Sequence, residues 1–149
     1  MNLKKALADY EEWEVSGEIH RYYKPRNVNK GLCAYCDNKL YKKGKNLINC
    51  EYHWLKRKYR SFYDKCRLAK DKSIIPSAYP AYKKIKCKFE WKEFLAWCIE
   101  NTNYKKMKEP HLIRIDKKGH FEFGNIEWFD ALGSNKVRSK ITTVRAKRS

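Results

Sequence analysis

Four residues carry the clearest chemistry in this sequence: Cys33, Cys36, Cys50 and His53. They fall as Cys33-Ala34-Tyr35-Cys36 and Cys50-Glu51-Tyr52-His53, two ligand pairs each with two intervening residues, separated by a 13-residue spacer. Each pair offers two ligands from one tight turn, and the spacer closes the loop between them, as tetrahedral zinc requires. Thiolate and imidazole ligands select zinc over magnesium or calcium. With all four positions filled by protein, the predicted ion is structural and has no open position for a substrate. Cys66, Cys87 and Cys98 lack paired spacing and read as buried thiols, with a second zinc site that includes His111 as the alternative.

Directly after the ligands come Lys56, Arg57, Lys58 and Arg60. On a helix anchored by the zinc site they would present a rigid basic face to phosphates. Lys136, Arg138, Lys140 and Arg145 belong to a last stretch of fourteen residues with six bases and no acid, predicted as an arm on DNA. The whole chain holds 35 Lys and Arg against 17 Asp and Glu, a net charge of +18. A charge of that size repels itself and is tolerated chiefly when a polyanion neutralises it, which points to nucleic acid. Eleven Tyr, five Trp and six Phe are too many for a merely solvated charged chain. DNA is the expected partner; RNA stays open, because a basic surface rich in aromatics also suits single strands.

Stepping outward, 149 residues suit one compact domain or two small modules. Residues 1–20 reverse the charge, with five acids and two bases, and Leu3, Leu7 and Tyr10 fall at helical spacing. This acidic amphipathic helix either packs against the basic body or docks on a protein partner. Residues 21–31 read as a loop, and residues 30–72 as the zinc module with its basic helix from about Trp54 to Lys70. The two prolines Pro76 and Pro80 make 73–80 a connection. Residues 90–100 form the clearest helix, with Trp91, Phe94, Leu95 and Cys98 on a core stripe. Leu112–Ile115 and Ile126–Phe129 read as short strands around an Asp116–Gly119 turn, and Asp130 as the cap of a further helix. The expected fold class is α+β, with residues 73–138 as its second unit and 139–149 as a basic tail.

From about Trp54 to Arg138 the chain resembles bacteriophage HNH-type, homing-type endonucleases. The resemblance rests on Tyr59 and Cys66 in the first helix, Tyr79 and Tyr82, Trp91-Lys92-Glu93-Phe94 with Trp97, and finally Leu112-Ile113-Arg114-Ile115-Asp116…Gly119, Asn125-Ile126-Glu127-Trp128 and Asn135. It implies a ββα-metal unit: two antiparallel strands and a helix gripping one catalytic Mg²⁺ or Mn²⁺ that nicks or cleaves DNA. In such a unit a carboxylate and a neutral ligand hold the metal, and a histidine activates water. The resemblance puts Asn125 at the loop asparagine and Asn135 near the helix ligand, with Asp116 the acid of the strand-turn element. This chain departs from the pattern at the strand end, where Ile113-Arg114 stand in place of the usual Asp followed by His or Arg. Arginine takes no proton near neutral pH. His111, two residues before Ile113, and His120, beside Gly119, are the candidate replacements for the base. Alternatively Arg114 and Asp116 form an ion pair that fixes the turn, and the scaffold binds DNA as an inert regulator or adaptor.

No run of residues is apolar and long enough to span a membrane, and the first residues lack the pattern of a secretory signal. The expected location is the cytoplasm, that of the host cell if the chain is phage-encoded.

Overall fold

The structure is a computed structural model, and it describes residues 3–10, 25–36, 38–73 and 79–132. Helix α1 spans Leu3–Ala8, α2 Pro25–Asn29, α3 Glu51–Ala69 and α4 Trp91–Glu100. Short 3-10 turns cover Pro80–Tyr82 and Thr102–Lys106, and strands β1 (Pro110–Arg114) and β2 (Ile126–Asp130) form one antiparallel pair. The mixture of helices with a small two-stranded sheet fits the expected α+β class. None of the described helices is long and apolar enough to cross a membrane.

Helix α3 organises the molecule. It begins at Cys50, whose Sγ accepts the His53 N–H and so caps the helix with a zinc-ligand side chain. Tyr52, Trp54, Leu55, Phe62 and Cys66 are buried along it. Tyr52 accepts the Trp91 indole N–H at 3.1 Å, and Tyr59 donates to the Phe89 carbonyl at 3.0 Å, which fixes α4 alongside. Helix α4 starts with a capping box in which the Glu90 and Glu93 side chains satisfy each other's backbone N–H groups. Its predicted stripe is core: Trp91, Phe94, Leu95 and Cys98 are all buried. Helix α1 packs on α4 through its buried Leu3 and Ala6.

Residues 25–29, expected in a loop, are helical instead. Pro25 fits the first turn, where its missing N–H has no partner to lose. Gly31 then ends the segment with φ +77°, in the left-handed region that favours glycine. The Cys66, Cys87 and Cys98 thiols are all raised by burial and stay protonated, which fits packing rather than ligation.

Candidate functional site

The four predicted ligands converge from two pieces of chain. Cys33 and Cys36 sit on a tight hairpin in which Cys33 N–H donates to the Asn38 carbonyl at 2.8 Å and Leu40 N–H to Gly31 at 3.0 Å. Asn27, on α2, donates its side-chain amide to the carbonyls of Cys33 and Cys36. This explains why α2 lies where it does. Cys50 and His53 come from the first turn of α3. All four side chains are buried, and their ligand atoms lie within 4.8 Å of one another.

The separations suit a tetrahedral ion. Bonds of about 2.3 Å to sulfur and about 2.0 Å to nitrogen imply S···S near 3.8 Å and S···N near 3.6 Å. Cys36 and Cys50 Sγ are 3.6 Å apart, and His53 Nδ1 lies 3.5, 3.6 and 3.3 Å from Cys33, Cys36 and Cys50 Sγ. Nδ1 is therefore the ligating nitrogen. Backbone N–H groups of Tyr35 and His53 point at the sulfurs of Cys33 and Cys50, and the Asn38 amide donates to Cys36 at 3.2 Å. Such donors favour thiolates over thiols.

The electrostatics also call for a cation. Hydrogen bonds from Cys36 and Cys50 hold the Cys33 thiol far below its ordinary range, while the same bonds, with Cys33 first, push Cys50 up. Burial pulls the His53 imidazole down, but its contacts with Cys33 and Cys36 outweigh this and hold it at about 9. Thiolates packed this closely repel one another, and a divalent ion among them would relieve that repulsion. The buried Cys33, Cys36, Cys50 and His53 could hold one, consistent with structural zinc.

Of the basic run on α3, Arg57 and Arg60, three residues apart, are exposed. Arg57 and Lys58 line a cleft with Ser61, whereas Lys56 lies over the Tyr52 ring and Arg60 is exposed away from that cleft. Lys58 is half-buried over Trp54, and burial lowers its ammonium pKa. Lys136, Arg138, Lys140, Arg145 and Asn135 lie outside the described residues, as do the acids of the N-terminal segment from Glu11 onward.

The strand-turn element is well ordered by its own side chains. Strand β1 pairs with β2 so that Leu112 faces Trp128 and Ile113 faces Glu127. Asn125 braces the turn: its Oδ1 accepts Asp116 N–H at 2.8 Å, and its Nδ2 donates to the carbonyls of Asp116 and His120 at 3.1 and 2.9 Å. The Asp116 carboxylate accepts the Lys118 N–H. Arg114 makes no ion pair with Asp116; its guanidinium donates to the carbonyls of Lys117 and Gly119 and lies 5.0 Å from both the Tyr82 and Phe121 rings. His120 Nδ1 accepts the Lys86 N–H at 2.9 Å. His111, half-exposed on β1, has its Nε2 3.4 Å from Glu109 Oε1. Asp130 ends β2, and its carboxylate accepts the N–H groups of Lys108, Glu109 and Leu132.

Among the described residues, Cys33, Cys36, Cys50 and His53 form the one grouping of three or more His, Cys, Asp or Glu side chains able to hold a metal. His111, Arg114, Asp116 and Asn125 thus lie on one hairpin, yet Arg114 and Asn125 are engaged with backbone and His111 with Glu109. Sequence reasoning missed Asn27 and Asn38, which support the zinc ligands; Asn38, two residues beyond Cys36, was the legible signal. It also missed Glu109 as the partner of His111. No family model, no curated protein and no solved structure matches the chain.

Proposed function

We propose that this chain is a DNA-binding protein of HNH-nuclease-like build, stapled by a structural zinc. The observation that carries the reading is the β1–turn–β2 unit, in which Asn125 ties both ends of the turn together beside the Asn125-Ile126-Glu127-Trp128 sequence. A net charge of +18 supplies the affinity for a polyanion, since each neutralised phosphate releases counterions. The zinc anchors α3, and α3 carries Arg57, Lys58 and Arg60 in a fixed frame. Arg114 and Asn125 serve the hairpin's shape, which favours holding DNA over cutting it.

A second reading, divalent-metal-dependent nicking with Mg²⁺ or Mn²⁺ by a phage-type endonuclease, is favoured by one pair. His111 stands half-exposed with its Nε2 against the Glu109 carboxylate, a group that orients the imidazole. Such a reaction adds water across a phosphodiester P–O bond, and the imidazole takes the water's proton.

The test is titration of a short duplex by fluorescence anisotropy at several salt concentrations. Affinity falling steeply with salt supports the reading; binding indifferent to salt, or tighter binding to RNA of the same length, would sink it. A supercoiled-plasmid assay with Mg²⁺, Mn²⁺ or EDTA separates the two readings. Metal-dependent nicking abolished by His111→Ala selects the second, and intact plasmid under every metal selects the first.

A further inference from the structure

One open cleft of about 300 Å³ joins three parts of the molecule: the 43–46 loop, α3 and the start of β1. Its walls carry Lys43, Lys45, Arg57, Lys58 and His111, with Glu109 the single carboxylate. Lys45 and Arg57 are exposed, and neither has a carboxylate partner among the described residues. Glu109 lies 3.4 Å from His111 and acts on the Lys58 charge, and the Lys and Arg side chains of the cleft outnumber it. Lys43 is occupied otherwise, its ammonium donating to the carbonyls of Lys105 and Met107 at 2.6 and 2.8 Å.

The cleft is built rather than incidental. The 43–46 loop lies in the spacer between the two ligand pairs, and Asn46 holds it by donating to the carbonyls of Tyr41 and Asn49. Gly44 then donates its N–H to Lys108 at 2.9 Å. The φ of Gly44 is +54°, in the left-handed region that favours glycine, and a Cβ there would press on Glu109 Cγ at 3.1 Å. Lys58 is held by its packing over Trp54, at 5.3 Å from the ring centroid. The cations thus converge from a hydrogen-bonded loop between the two ligand pairs and a helix capped by Cys50.

We propose that this cleft seats a DNA phosphodiester, clamped between Lys45 on the zinc spacer and Arg57 and Lys58 on α3. The inference rests on the DNA-binding reading and adds where the backbone lies.

The experiment uses the full chain with its zinc, a short duplex, and the variants Lys45→Gln, Arg57→Gln and, as control, the exposed Lys84→Gln. Zinc content and circular dichroism confirm that each variant is folded. Each cleft variant is expected to weaken binding about tenfold and to lower the magnitude of the log affinity against log salt slope by about 0.9, one phosphate contact. Lys84→Gln should leave both near the parent values. If the parent binds DNA with a steep salt dependence but either cleft variant keeps parental affinity and slope, the cleft proposal is overturned and DNA binding stands. If the parent shows no salt-dependent binding, both fall.

Discussion

Trp54 and Trp128 stack nearly parallel, with ring centroids 5.8 Å apart and planes 10° apart. Trp54 follows the zinc ligand His53 by one residue, and Trp128 sits in the centre of β2. The contact makes the zinc module and the hairpin one core, completed by Tyr104, whose ring lies 4.9 Å from that of Trp128. Packed rings thus connect the Cys50–His53 end of α3 to the hairpin.

Removing the stack should be felt at both ends. Trp128→Ala is expected to destabilise the fold by about 3–5 kcal/mol, the usual loss for emptying a large aromatic site. Chemical denaturation measures it. A loss under about 1 kcal/mol would show that the rings are not sharing a core.

Zinc removal should loosen α3 as well as the knuckle. We expect about one Zn²⁺ per chain, lost in Cys33→Ser and displaced by acid, because thiolates and a neutral imidazole must compete with protons for binding. Metal analysis and far-ultraviolet circular dichroism with and without a chelator check this. Unchanged helicity after complete chelation would contradict it.

Asn125 should matter for shape. Asn125→Ala removes three turn hydrogen bonds whose partners are largely reached by water, for a loss of about 0.5–1.5 kcal/mol. Gly119→Ala attacks the same bracket sterically, since its Cβ would stand 2.6 Å from Asn125 Nδ2. Both variants should lower the melting temperature, whereas exposed Lys117→Ala should not.

Stability should fall in alkali. Burial raises the Tyr41, Tyr59 and Tyr104 phenols above their ordinary range, and for Tyr104 the bond to Glu51 at 2.7 Å adds to the effect. The folded protein keeps protons that the unfolded chain releases near pH 10. Their contribution is thus fully present below that pH and is lost as pH rises toward the raised values. Phenolate absorbance during a pH titration should show these three titrating late and together with unfolding. Tyr104→Phe should weaken the fold by about 1 kcal/mol at neutral pH.

The zinc ligand set was legible because two fixed spacings, each closing within one turn, leave little else for those side chains to do. The α3 and α4 helices and the β1–turn–β2 hairpin were legible for a similar local reason: Trp91, Phe94, Leu95 and Cys98 repeat at helical spacing, and the strands flank a glycine turn. The short α2 helix was hidden because five residues carry too little periodicity, and its place depends on Asn27 reaching the carbonyls of Cys33 and Cys36. The engagement of His120 was decided by the way residues 85–89 dock on the turn, where Lys86 donates to its Nδ1. The meeting of Lys45, Arg57 and His111 in one cleft joins positions more than fifty residues apart. Spacing sets what a short stretch can ligate, whereas the fate of each polar group depends on which distant segment packs against it.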